Sequence, residues 1–192
     1  MRIISGCLAG REIRTPQGSG TRPAMGKTRE ALFSMLEARG IDWTRISALD
    51  LFAGSGTLGF EALSRGAPHA TFVDNSEILI RAMARNIENF ALSGRCRLAR
   101  QDVLRFLAGT PDRQYGLAFV DPPYRRNLAK PALERLISGN WLGPGAFVIG
   151  ELENGLDFPV PAALEPVAER LFGQTLLKIW KLNENSPIPG HI

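Results

Sequence analysis

The chain has 192 residues, a length that suits one domain with a full central sheet covered by helices on both faces. Cys7 and Cys96 are too few for a disulfide framework and His69 and His191 too few for a zinc centre, so no metal is expected. No stretch is apolar enough to span a membrane and the opening lacks the hydrophobic run of a secretory signal, which leaves a cytoplasmic protein as the expectation.

Residues 2–5 and 11–14 alternate like strands and read as a short hairpin, followed by a Gly/Ser/Pro loop from Pro16 to Pro23. Six basic side chains, Arg2, Arg11, Arg14, Arg22, Lys27 and Arg29, face Glu12 and Glu30 within residues 1–30. That segment carries a net +4, the same as the whole chain, so the remainder balances to zero. A basic opening on a neutral body is a footprint for a phosphate backbone. These six residues are therefore expected to contact nucleic acid. A helix is expected over 27–39, with Ala31, Leu32, Met35 and Leu36 on one face.

A strand near 46–51 then runs into a glycine-rich turn and a helix over 57–65. Gly54, Gly56 and Gly59 satisfy G-x-G-x-x-G, in which glycines permit a tight turn and close approach of a ligand to the backbone. The strand 70–73 ends in Asp74, 20 residues beyond Gly54, where an acid can accept from both hydroxyls of a ribose. His69 opens that strand and reads as a surface histidine rather than a base. Asp50 lies inside the first strand, where a dinucleotide-binding strand is normally apolar, and a carboxylate there suits a ligand with a positive charge, such as a sulfonium. The cofactor contacts expected from this region are Asp50, Phe52, Ala53, Gly54, Ser55, Gly56, Asp74 and Asn75.

Ser76 can cap the next helix, on which Leu79, Met83, Ile87 and Phe90 recur at helical spacing. A third strand over 95–100 leads to Gln101, Asp102 and Val103, with Asp102 the natural acceptor for an adenine amine and also a candidate cap for a helix over 102–108. All three are assigned to the cofactor. The strand 116–120 stops at Asp121-Pro122-Pro123-Tyr124. Two prolines force the chain out of the sheet and leave carbonyls unpaired beside a carboxylate and a flat ring. That group can accept N–H bonds from a planar exocyclic amine while Tyr124 stacks on the ring that carries it. Asp121, Pro122, Pro123 and Tyr124 are the expected catalytic residues, and Arg125 and Arg126 beside them are expected to meet phosphates. A helix over 127–139, a strand over 145–151 and two apolar runs, 164–171 and 174–180, follow. The runs read as an antiparallel pair closing the sheet edge. Alternating βα units give a doubly wound α/β sheet, mostly parallel and seven-stranded, with the N-terminal hairpin as an extension.

The run from Asp50 to Gly66 followed by Asp121-Pro122-Pro123-Tyr124 resembles the RsmD family of bacterial rRNA (guanine-N2)-methyltransferases. Arg2-Ile3-Ile4-Ser5-Gly6, Thr21-Arg22-Pro23, Arg29-Glu30-Ala31-Leu32-Phe33 and Glu151-Leu152-Glu153-Asn154-Gly155 are similar to further segments of that family. The resemblance implies a class I, Rossmann-like fold and S-adenosylmethionine as cofactor. It also implies methylation of a guanine N2 in small-subunit (16S) ribosomal RNA, within an assembled ribosomal particle. Residues 1–24 then form a basic hairpin or arm, 25–182 the methyltransferase domain and 183–192 a flexible tail, in a monomer. Ala24-Met25-Gly26 departs from the family, which usually has hydroxyl residues and an acid there, so no family contact carries over to these positions. The competing readings are a DNA adenine-N6 methyltransferase, which generally needs a target-recognition region this chain is short to hold, and a non-catalytic RNA-binding module. A nicotinamide-dependent oxidoreductase is more distant, being disfavoured by Asp50.

Overall fold

A computed structural model describes residues 1–16, 24–155 and 158–183. Arg22 and the expected tail from residue 184 onward lie outside the described residues. The elements in chain order are α1 (Ala24–Glu37), β1 (Ser47–Leu51), α2 (Thr57–Arg65), β2 (His69–Asp74), α3 (Glu77–Asn89) and β3 (Cys96–Arg100). There follow α4 (Val103–Leu107), β4 (Tyr115–Val120), α5 (Ala129–Ser138), β5 (Leu142–Glu153), β6 (Leu164–Phe172) and β7 (Thr175–Leu182). The seven strands form one sheet in the order β3-β2-β1-β4-β5-β7-β6. The first five strands pair in parallel, and β7 pairs antiparallel with both β5 and β6.

The parallel strands are buried on both faces, which is why they read as continuous apolar runs. Alternate residues serve opposite layers. Ala48, Ala70, Phe72, Leu117 and Phe119 face the layer built by Phe33 and Leu36 of α1, Phe60 and Leu63 of α2 and Met83 and Ile87 of α3. Leu49, Leu51, Val73, Ala118 and Val120 face the layer of Phe106 from α4 and Leu133 and Leu136 from α5. Several elements differ in extent from expectation: α1 spans Ala24–Glu37 instead of 27–39, and β7 spans Thr175–Leu182 instead of 174–180. The strand over 145–151 extends to Leu142–Glu153, since it pairs with β4 from Tyr115↔Leu142 and with β7 out to Glu153↔Thr175. Helix α5 starts only at Ala129, because Arg125 (φ +61°) and Asn127 (φ +49°) are left-handed and break any helix there.

The opening residues form a narrow antiparallel hairpin with a bridge Arg2↔Glu12 and the bonds Ile3 N–H to Arg11 C=O (3.0 Å) and Ile13 N–H to Met1 C=O (2.7 Å). Its apolar side chains Ile3, Leu8 and Ile13 are buried in the same core as α1–α3. Glu61 of α2, wholly buried, accepts the Ile4 and Ser5 N–H groups at 2.8 and 3.0 Å, and Ser64 Oγ accepts the Leu8 N–H at 2.9 Å. Gly6, at φ +85°, lies where a Cβ would stand 2.0 Å from the Ser64 carbonyl oxygen, so only glycine lets the two backbones meet. Farther on, Asn86 of α3 bonds both the N–H and the C=O of Arg14.

Candidate active site

In the order β3-β2-β1-β4 the chain reverses its direction of travel between β1 and β4, and ligands of such sheets bind at the strands' carboxyl ends beside that point. A cavity of about 1150 Å³ opens there. Each parallel strand except β1 delivers an acid to it: Asp74 from the end of β2, Asp102 just after β3, Asp121 after β4 and Glu151 from β5.

Asp74 organises the cofactor half. One of its oxygens accepts the Gly54 N–H (2.9 Å) and the other the Ser76 N–H (2.8 Å), which ties the glycine turn to the start of α3. Each oxygen keeps a lone pair for a ligand hydroxyl. Phe52 lines the cavity and holds a left-handed backbone (φ +59°), a strained conformation that the Ala53 N–H to Val73 C=O bond (3.0 Å) helps to fix. Asn75 and Val103 line the same wall. Asp102 caps α4 by accepting the Arg105 N–H (3.0 Å) and also lines the cavity, so both expected roles coincide. Gln101 stands behind, donating its backbone N–H to the Asp74 carbonyl (3.1 Å).

The three loop glycines divide their work. A Cβ on Gly54 (φ +56°) would meet nothing nearer than 3.9 Å, whereas one on Gly56 would approach Met83 Sδ at 2.9 Å and one on Gly59 would strike Phe72 at 2.3 Å. Gly56 and Gly59 thus admit core side chains, and Gly54 alone stands open to a ligand. Ala53, Gly54, Ser55 and Gly56 are not among the residues that line the cavity. Asp50 also departs from expectation. It is 2% exposed, stands behind the cavity wall and accepts the Gly59 N–H at 2.9 Å, pinning the start of α2 rather than meeting a ligand. Burial, with Asp74 and Glu151 adding repulsion, pushes its pKa up to about 8 against the relief of that hydrogen bond, so it is largely neutral at pH 7.

The acceptor half gathers Asp121, Pro122, Pro123 and Tyr124 on the opposite wall of the same cavity. The Tyr124 hydroxyl shares a 2.6 Å hydrogen bond with Thr175 Oγ1, so the turn between β6 and β7, Phe172 to Thr175, completes this wall. Asp121 hydrogen-bonds Glu151. Burial, then Glu151 and Asp50 beside it, raise the Asp121 carboxyl well above the ordinary range. Burial raises Glu151 too, while the Asp121 hydrogen bond and the Arg29 guanidinium pull it back.

The basic residues are scattered. Arg2, Arg11, Arg14, Lys27, Arg125 and Arg126 are exposed, and Arg126 lines the cavity. Arg125 holds its loop through a backbone N–H to Glu153 (3.3 Å). Arg11 donates to the Asn89 carbonyl (2.6 Å) and lies over Phe90, at the end of α3 away from the cavity. Arg29 corrects the expectation outright. It is 5% exposed, donates to the Arg2 carbonyl (2.6 Å) and faces Glu61 and Glu151, so it is a buried countercharge and cannot reach a phosphate. Glu151 and the Phe172–Thr175 turn were absent from the expected site. Glu151 had a signal: Ala146 to Gly150 is an apolar run ending in an acid, the pattern of Asp74 and Asp121.

The chain matches the family described as "Conserved hypothetical protein 95" over residues 1–181. It is 36% identical over 185 residues to ribosomal RNA small subunit methyltransferase D of Escherichia coli K12, covering 94% of this chain and 89% of that protein. The solved "Putative methyltransferase yhhF from Escherichia coli" superposes with a TM-score of 0.84 at 33% identity, over 95% of this chain and 98% of that one. An RNA methyltransferase from Salinibacter ruber, solved with S-adenosyl-L-homocysteine, shares the fold with a TM-score of 0.62 at 15% identity, over 88% of this chain and 96% of that one.

Proposed function

The chain belongs to the conserved hypothetical protein 95 family, the RsmD family its motifs resemble, and from that premise we propose that it methylates the N2 amine of a guanine in small-subunit ribosomal RNA. It is an S-adenosylmethionine-dependent rRNA methyltransferase. The observation that carries the finer reading is that the Asp121-Pro122-Pro123-Tyr124 wall and the Asp74–Asp102 wall enclose one cavity. A donor and a planar amine can meet there.

The cavity fits the cofactor: Asp74 presents acceptors for ribose hydroxyls, Asp102 for an adenine amine, and the backbone at Gly54 is open to close approach. When bound, the cofactor supplies an electrophilic methyl group on a sulfonium. The protein's task lies with the nucleophile. A guanine N2 lone pair is delocalised into the ring, and hydrogen bonds from the amine to Asp121 and the Pro122 carbonyl localise and aim it. Tyr124, its hydroxyl fixed by Thr175, stacks on a base that has left its own stack. Holding amine and methyl in line supplies much of the rate.

Arg126 at the cavity mouth, Arg125 beside it, and Arg2, Arg11, Arg14 and Lys27 around the hairpin and α1 contact RNA phosphates. Arg11 lies one length of α3, roughly 20 Å at 1.5 Å per residue, from the cavity end of that helix. Phosphates over so long a track suit RNA held in an assembled small subunit better than a short free strand. The protein acts as a monomer in the cytoplasm, where that particle is built, and no helix among the described residues is long and apolar enough to cross a membrane. The test uses small subunits from a strain lacking the gene, incubated with labelled S-adenosylmethionine and digested to nucleosides. N2-methylguanosine is expected from the wild-type protein, and Asp121→Ala should lower its formation by orders of magnitude while cofactor affinity persists. N6-methyladenosine as the labelled product, or no labelled nucleoside from any RNA, would overturn the proposal.

A further inference from the structure

Three carboxyl groups, Asp50, Asp121 and Glu151, come from adjacent strands β1, β4 and β5 and repel one another, and Glu151 alone of the three also faces the buried guanidinium of Arg29 on α1. Val120 and Gly150 are partners in the β4–β5 ladder, so the residues that follow them, Asp121 and Glu151, leave the sheet side by side. Two carboxyl groups in a hydrogen bond share a proton, because two carboxylates repel and neither can donate. The charged groups around the pair divide unevenly. Arg29 lies nearer in effect to Glu151, Asp50 raises Asp121, and Arg126 faces the cavity from the acceptor loop. Glu61 and Arg65 of α2 in turn act on Arg29, and Asp74 on Asp50. The Arg29 guanidinium therefore favours negative charge on Glu151 and leaves the shared proton to Asp121.

We propose that Glu151 is the positioning residue of Asp121, holding the Asp121 carboxyl proton in their mutual hydrogen bond and taking that proton over when the acceptor amine releases its own. This rests on the methyltransferase reading above. The held proton orients Asp121, leaving its other oxygen to accept from the amine N–H. Once nitrogen has gained the methyl group it carries a positive charge and must lose one proton. The N–H bond breaks and its electron pair stays on nitrogen. The proton joins the cavity-facing oxygen of Asp121, while the proton already on Asp121 crosses to Glu151. The pair passes from one negative charge to none, matching the charge cancelled on nitrogen, and the transfer needs no water. Arg29 favours the ionised form of Glu151 against the cost of its burial until that moment.

The experiment follows the carboxyl carbons of isotopically labelled protein by NMR against pH, without any ligand, in the wild type and in Glu151→Gln, alongside single-turnover methyl transfer. In the wild type the pair should titrate in two separated steps, with one carboxyl protonated at pH 7. In Glu151→Gln the Asp121 step should fall by at least about one pH unit, since the repulsion and the shared proton are gone. Single-turnover rate should drop roughly 100-fold, with cofactor affinity unchanged within about twofold. An Asp121 titration unmoved by the substitution, or an undiminished rate, would overturn the proposal. Should the variant not fold, the wild-type titration decides alone: a single step at ordinary carboxylate pH refutes the shared proton. If the wild type methylates no ribosomal substrate, the functional reading fails instead, and the titration still judges the pair.

Discussion

Glu61→Gln removes one charge from the joint between the opening hairpin and the body without changing side-chain volume. The wild-type carboxylate is wholly buried, accepts two backbone N–H groups at 2.8 and 3.0 Å and meets Arg65 at 2.9 and 3.0 Å. The Arg65 side chain is only 7% exposed, lies over Phe33 at 4.8 Å and keeps Glu37 as its other partner. Breaking a buried ion pair costs about 3–5 kcal/mol because a charge is left uncompensated. Glu37 and the amide oxygen of the new glutamine offset part of this, so about 3 kcal/mol is expected. For a chain of this length that lowers Tm by roughly 6–12 °C. Urea denaturation measures the first quantity and a thermal melt the second. Amide exchange supplies the spatial check, because Ile4 and Ser5 should lose protection before the sheet does. A loss below about 1 kcal/mol, or unchanged protection at those two amides, would refute the idea that Glu61 clamps the hairpin.

Gly54→Ala should weaken binding of S-adenosylhomocysteine at a stability cost of about 1–2 kcal/mol from the left-handed backbone at φ +56°, while Gly59→Ala should unfold the protein at lower urea through the clash with Phe72; calorimetry and denaturation on both variants test this, and wild-type affinity in Gly54→Ala would contradict it. Asp50 has a folded pKa of about 8 against an unfolded value near 4, so between those pH values the folded state holds the extra proton and stability falls as pH rises. Asp50→Asn should flatten that slope and leave the variant the more stable by on the order of a few kcal/mol at pH 8, and parallel urea-stability curves from pH 5 to pH 8 would exclude the mechanism.

Local chemistry made much of the site readable. Strand-ending acids, a glycine turn and a double proline announce themselves within a few residues, and Asp74, Asp102 and Asp121 all line the cavity. What escaped depends on pairing across the sheet. Glu151 matters because β4 and β5 run in register, and nothing within β5 reveals its neighbour. The Phe172–Thr175 turn reaches the site because β7 inserts between β5 and β6, an order the chain does not display. Asp50 was placed on the right strand but credited with a ligand instead of the α2 backbone, since period-two patterning assigns a face and not a partner. Arg29 was legible after all: it stands four residues before Phe33 and seven before Leu36, on the buried face of α1.

The hydrogen bond between Tyr124 and Thr175 joins positions 51 residues apart. Its consequence is a timetable for the growing polypeptide. β1, β2, β3 and β4, with the cofactor acids between them, are complete once Val120 has been made, so the donor half can assemble early. The wall that confronts the target base waits until β7 has turned back along β5. In chain order the acids of the cofactor half thus precede the wall proposed to face the target base, and a translation product halted within β6 would lack Thr175 and the anchor it gives Tyr124.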